Sequence, residues 1–216
     1  MLVFTLFFSV RTDAQDVVKE PSVSAKAAII IDADSTRVIY AKNIAERLPM
    51  ASTTKIMTCL LTLESGNLDD EFVVNSEAIK VEGSSMGLKP GDKVTKRKLA
   101  IGMLIRSGND AANAAAVAVS GSIDAFVKKM NQKADTLGLH NTSFGSPSGL
   151  DAPDHKTTAY DLSVLASIAL KNPDFSDICK NETVRLDYGN PPYMRKLVNT
   201  NKFLHEYDGA IGMKTG

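Results

Sequence analysis

The stretch Ala51-Ser52-Thr53-Thr54-Lys55-Ile56-Met57-Thr58 reads as a helix start that carries a hydroxyl and an amine three residues apart. Positions i and i+3 of a helix share a face, about 5–6 Å apart at Cβ. Ser52 Oγ and Lys55 Nζ can therefore meet without help from distant sequence. A serine hydroxyl is a poor nucleophile until a base removes its proton. A lysine amine is such a base only when burial or a neighbouring positive charge lowers its pKa. The apolar residues that follow, Ile56, Met57, Leu60, Leu61 and Leu63, would bury one face of the helix and hold its start rigid. Read alone, the pattern also fits an N-cap serine followed by a surface lysine.

Two later tripeptides shift the balance: Ser107-Gly108-Asn109 and Lys214-Thr215-Gly216. The ordered set S-x-x-K, S-x-N, K-T-G is the signature of penicillin-binding proteins and class A β-lactamases, which carry S-D-N in second place. One short motif is weak evidence; three in order are strong.

Composition sets wide bounds. The 216 residues are 44% hydrophobic and 23% charged, with no net formal charge. One globular domain with a sizeable core is the natural expectation. No basic block asks for nucleic acid. The two cysteines, Cys59 and Cys179, have no metal-ligand spacing, and no HExxH, CxxC or paired-histidine cluster occurs. The sequence thus asks for no metal and no cofactor. Cys59 falls on the apolar face of the Ser52 helix and reads as core; spacing leaves a Cys59–Cys179 disulfide undecided.

Residues 1–10 form an apolar run too short to span a bilayer. Its length fits the apolar core of an export signal, although the positive start is lacking. Residues 1–24 are taken as signal and linker, and residues 25–216 as a catalytic domain. Two β-rich runs around Asp32-Ala33-Asp34-Ser35 read as a hairpin. Residues 71–94 are turn-rich, with short strands or loops. Helices are expected over residues 96–105, 110–119 and 122–137, the last capped by Ser122 and stopped by Gly138. A long irregular loop spans residues 141–155. A helix capped by Thr157 or Thr158 follows and ends at Asn172-Pro173. Residues 182–186 suggest a strand, Asn190-Pro191-Pro192 a loop, and residues 209–216 a turn then a strand. Short strands at both ends with helices between predict an α+β fold.

Longer matches carry a family resemblance. Arg106-Ser-Gly-Asn-Asp-Ala-Ala-Asn113, Phe144-Gly-Ser-Pro-Ser-Gly-Leu-Asp151 with His155, Thr158-Ala-Tyr-Asp-Leu162 and Asp208-Gly-Ala-Ile-Gly-Met-Lys-Thr-Gly216 join the Ser52 stretch. Together, over roughly residues 25–216, they resemble the D-alanyl-D-alanine carboxypeptidases, low-molecular-mass penicillin-binding proteins of serine peptidase family S11. The resemblance implies a penicillin-binding/β-lactamase-like fold: a five-stranded antiparallel sheet flanked by helices, plus a mainly helical lobe, with the site at their junction. It implies Ser52 as nucleophile, Lys55 as base and Ser107 as proton relay. Asn109 would hold Lys55 and the substrate amide. Lys214 and Thr215 would hold the substrate's terminal carboxylate, and Gly216 would leave room for substrate backbone. Lys214 would also disfavour a proton on Lys55. His155 reads as loop-ordering, and Asp151 and Asp161 as turn and helix-start residues.

The partners so implied are peptidoglycan stem peptides and acylating β-lactams. The apolar start and such a substrate point to an exported protein at the extracytoplasmic face of the bacterial membrane, in the periplasm or in the cell wall. Two rivals stand beside this reading. A class A β-lactamase uses a loop glutamate to activate water; its signature has Asn four residues after Glu, whereas Glu182 is followed by Leu186. A non-catalytic penicillin-binding-like protein would not need Ser52, Lys55, Ser107 and Lys214 intact. In the family, the residue after K-T-G supplies one oxyanion N–H, and losing such a donor costs about 10²–10³ in rate. The chain stops at Gly216, so the expectation is a fragment of a longer product, lacking C-terminal strands and any membrane anchor, and poorly stable alone.

Overall fold

The computed structural model describes residues 21–150 and 152–216. The apolar N-terminal run and Asp151 lie outside the described residues.

A buried helix organises the chain. Helix α1 (Lys55–Glu64) is buried at every position from Lys55 to Leu63, as expected of a helix packed on all sides. It continues from a tight turn of 3₁₀ geometry, Ala51–Thr54. The hydroxyls of Thr53 and Thr54 donate back to Met50 O (2.5 Å) and Ala51 O (2.7 Å), and Met50 O also takes the Thr53 N–H, so the turn is tied by side chain and backbone together. Ala51 itself is left-handed, at φ 45°, a conformation that disfavours any residue with a Cβ. This bend turns the chain sharply so that Ser52 stands at the mouth of α1. At the far end Ser65 and Gly66 (φ 70°) close the helix, glycine being suited to the left-handed position there.

Around α1 pack α2 (Lys96–Arg106), α3 (Asn109–Ser120), α4 (Ile123–Thr136), α5 (Ala159–Leu170) and α6 (Pro173–Cys179). The short α7 (Phe203–Glu206) lies at the surface. Ser122 accepts from Ala125 N and Thr158 from Asp161 N, as the sequence suggested, and Thr95 caps α2 by accepting from Lys98 N. The alanines of α3 are almost all fully buried. Helix α6 was not expected. Asn172 does not simply end the preceding helix: its side chain accepts from Phe175 N with Pro173 at the first helical position, so Asn-Pro starts a second helix.

Four antiparallel two-stranded ladders complete the fold among the described residues. Strands β1 (Ala28–Ile31) and β2 (Val38–Lys42) form the expected hairpin, with Ile29 opposite Ala41. Strand β3 (Leu48–Pro49) pairs with β6 (Lys156–Thr157), and β4 (Glu71–Val73) with β5 (Lys93–Thr95). Strands β7 (Thr183–Gly189) and β8 (Pro192–Val198) form a longer hairpin through Asn190-Pro191. In β8, Tyr193, Arg195 and Leu197 turn inward while Met194, Lys196 and Val198 face solvent. The architecture is α+β, as expected.

The five-stranded sheet is not formed among the described residues. Residues 209–216 make no ladder; they lie irregularly across from β1. Between them runs a groove of about 310 Å³ lined by Ala28, Ile29, Ile56, Leu162, Met213 and Lys214, among others.

Candidate active site

Ser52 sits half-buried in the turn that opens α1, and Lys55 is the first residue of the helix. Their side chains are hydrogen-bonded, with Lys55 Nζ 3.0 Å from Ser52 Oγ. The i, i+3 spacing produces this pair locally. Lys55 has no solvent-exposed surface. Its second polar contact comes from far along the chain: Nζ donates to the carbonyl oxygen of Ser148 at 2.5 Å.

Electrostatics follow from this enclosure. Burial, and after it the positive charge of Lys214, push the Lys55 pKa down to about 7, while Asp110 acts in the opposite direction. Lys214 is itself lowered to about 8 by burial. Two neighbouring amines cannot both hold protons cheaply, so Lys55 gives up its proton more readily than Lys214 does.

Ser107 and Asn109 occupy the corner between α2 and α3, both buried. Ser107 ends α2 in a left-handed conformation at φ 61°, which turns the chain into α3. Asn109 is fixed through main chain and side chain: its N–H donates to Ser84 O (2.7 Å) and its Nδ2 to Glu82 O (2.6 Å). The expected bond between Asn109 and Lys55 is replaced by these; Lys55 Nζ is held by Ser148 O instead. Lys214 Nζ folds back onto Thr215 O. Thr215 Oγ1 lies 3.0 Å from Thr200 Oγ1, and Thr200 N donates to Ile105 O. Gly216 approaches the Ser52 turn closely enough that a Cβ there would stand 3.1 Å from Thr53 Cγ2. The first and third motifs thus meet at the start of α1, while Ser107-Gly108-Asn109 forms the α2–α3 corner.

Sequence reading placed Ser148 in an irregular loop over residues 141–155 and gave it no role. Three of the loop's ties lie around Ser148. Gly145 N donates to His155 Nδ1 (2.8 Å), Thr58 Oγ1 donates to Pro147 O (2.7 Å), and Lys55 reaches Ser148 O. With Nδ1 accepting, the His155 ring proton sits on Nε2, 2.7 Å from Thr54 Oγ1. His155 therefore orders the loop, as expected. Asp161 starts α5 and also accepts from Asn141 N and Thr142 Oγ1, both at 2.8 Å. Glu182 is exposed and pairs with His205 at 3.3 Å, away from the reaction groups. Cys59 and Cys179 are buried free thiols.

Comparison with known proteins agrees with the geometry. The family model described as D-alanyl-D-alanine carboxypeptidase matches residues 14–216. The chain is 42% identical over 199 residues to D-alanyl-D-alanine carboxypeptidase DacF of Bacillus subtilis, covering 89% of this chain and 50% of that protein. It is 37% identical to D-alanyl-D-alanine carboxypeptidase DacB2 of Mycobacterium tuberculosis, covering 91% of this chain and 67% of that one. The crystal structure of the Streptomyces K15 DD-transpeptidase superposes with a TM-score of 0.86 at 34% identity, over 92% of this chain and 82% of that chain. The chain spans about half the length of DacF and two thirds that of DacB2.

Proposed function

Because this chain belongs to the D-alanyl-D-alanine carboxypeptidase family, we propose that it carries the acylating centre of an enzyme that removes the terminal D-alanine from peptidoglycan stem peptides. The observation that carries this is the Ser52–Lys55 pair: a hydroxyl 3.0 Å from a fully buried amine whose pKa is lowered to about 7. Catalytic bases work best with a pKa near the working pH.

In this reading residues 25–216 act as one catalytic unit. Neutral Lys55 takes the Ser52 proton as Oγ attacks the carbonyl of the D-Ala-D-Ala bond. An ester forms on Ser52, and the C–N bond breaks. The departing amine needs a proton, which passes from Lys55 by way of Ser107. Water then hydrolyses the ester and restores the Ser52 hydroxyl. Lys214, charged, and Thr215 bind the terminal carboxylate; Asn109 hydrogen-bonds the substrate amide; Gly216 leaves space for substrate backbone. Penicillin, a cyclic amide, acylates the same serine and is released slowly.

A peptidoglycan substrate would put this reaction on the extracytoplasmic side of the membrane, in the periplasm or wall, and membrane anchoring through a C-terminal segment is a further part of the proposal. No helix among the described residues is long and apolar enough to cross a membrane. The test is D-alanine release from an N-acyl-Lys-D-Ala-D-Ala peptide. Release that disappears in Ser52→Ala supports the reading. Fast hydrolysis of penicillin without peptide cleavage would replace it by a β-lactamase.

The likeness to the K15 DD-transpeptidase favours a second reading of the last step, in which an amine takes the acyl group in place of water. Adding glycine to the peptide assay distinguishes the two, since transfer yields a new peptide bond.

A further inference from the structure

The carboxylate of Asp110 is 98% buried and accepts five hydrogen bonds. One comes from the next residue, Ala111 N, at 2.9 Å. The other four come from a segment 22–25 residues upstream. Ser85 Oγ (2.6 Å), Gly87 N (3.0 Å) and Leu88 N (3.0 Å) donate to Oδ2, and Met86 N (2.9 Å) donates to Oδ1. An acidic residue in a helix's first turn needs none of these to favour the helix dipole. Five donors on one carboxylate far exceed what helix initiation asks.

The same segment grips the neighbouring residue from the other side. Ser84 O takes the N–H of Asn109, and Glu82 O takes its Nδ2. Space is tight: a Cβ at Gly83 would stand 2.8 Å from Asn109 Nδ2, and one at Gly108 would stand 2.8 Å from Asp110 Oδ1. Consecutive residues of α3 therefore hold the two halves of one strap, Asp110 its N–H groups and Asn109 its carbonyls. We propose that Asp110 is a positioning residue for the acylation reaction: by fixing residues 85–88 it sets the carbonyls of Glu82 and Ser84, and through them the direction of the Asn109 amide. This rests on the reading in which Asn109 binds the substrate amide.

Asp110 has a second effect that a merely structural carboxylate would lack. The charged groups acting on Lys55 are Lys214, from residues 209–216, and Asp110, from α3; His155 lies against the neighbouring Thr54 hydroxyl. Asp110 is the one that favours a proton on Lys55. Removing its charge should leave Lys55 neutral to lower pH.

The experiment measures acylation of the chain by benzylpenicillin and by 6-aminopenicillanic acid, which lacks the acyl amide that Asn109 would bind. Rates are normalised to the titrated fraction of active sites, so misfolded protein does not count. Ser85→Ala removes one donor from the strap and keeps the charge. It should slow benzylpenicillin acylation about three- to tenfold, the effect of one lost hydrogen bond, and leave 6-aminopenicillanic acid nearly unaffected. Asp110→Asn should slow benzylpenicillin more, and should move the acid limb of the rate profile to lower pH. Equal effects of Ser85→Ala on both compounds would overturn the proposal. So would unchanged rates in a correctly titrating Asp110→Asn. Should Asp110→Asn not fold, the Ser85→Ala ratio alone decides. If the unsubstituted chain is not acylated at all, the failure lies with the proposed function and not with Asp110.

Discussion

Lys55 Nζ is held against the Ser148 carbonyl at 2.5 Å, across 93 residues of sequence. A neutral amine has two N–H bonds and one lone pair. Committing an N–H to Ser148 O leaves the lone pair free to face Ser52 Oγ, 3.0 Å away. The loop that presents Ser148 is therefore part of what makes Lys55 a base.

The pH dependence of acylation follows from two amines. Lys55 must be neutral, and its pKa is lowered to about 7; the rate should rise as pH passes upward through that value. Lys214 must be charged, and its pKa is lowered to about 8; the rate should fall as pH passes above it. Stopped-flow acylation by penicillin from pH 5 to 10 should give a narrow bell centred between the two. A flat profile across that range would contradict both assignments.

Lys214→Ala separates the two roles of that side chain. Its positive charge lowers the Lys55 pKa, so its removal should raise that pKa and move the acid limb to higher pH. Carboxylate binding should fall as well. A D-Ala-D-Ala substrate amidated at its terminus should lose less than the free acid when the two are compared in this variant. Lys214→Arg keeps the charge and should leave the acid limb near its original place.

Gly149 packs against the nucleophile turn. A Cβ there would lie 2.0 Å from Ala51 O, and the residue is left-handed at φ 87°. Gly149→Ala should destabilise the chain by roughly 2 kcal/mol or more through overpacking and backbone strain. Urea unfolding measures that loss. The fraction of sites titrated by penicillin should fall as well, because the displaced turn carries Ser52. An unchanged midpoint would show that the turn yields easily.

Thr58→Val keeps the shape of a buried α1 residue but strips Pro147 O of its hydrogen bond. A buried carbonyl without a partner costs about 1–3 kcal/mol. The expected result is a lower unfolding midpoint together with slower acylation per active site, since Pro147 adjoins Ser148. A stability loss with wild-type acylation would mean that the loop holds Ser148 O in place without Thr58.

What the sequence made legible was short in range. Ser52 and Lys55 meet because a helical turn is local, and Ser122, Thr158 and Gly66 mark helix ends by chemistry confined to a few residues. Ser148 O escaped notice because a main-chain oxygen leaves no trace in residue identity. The grip of Asp110 on residues 85–88 was hidden likewise, since three of its four partners there are backbone N–H groups. Pro191 and Pro192 masked the β7–β8 hairpin by looking like a loop, and Pro173 looked like a stop when it was a start. Residues 209–216 read as a turn then a strand, but a strand is defined by its neighbour, and among the described residues no ladder includes them.

The most direct test of the account is to treat the chain with benzylpenicillin, digest it, and locate the added penicilloyl mass by tandem mass spectrometry. The account predicts one adduct, on Ser52, that is absent from Ser52→Ala and formed far more slowly in Lys55→Ala. An adduct on another residue, or one that persists in Ser52→Ala, would contradict it.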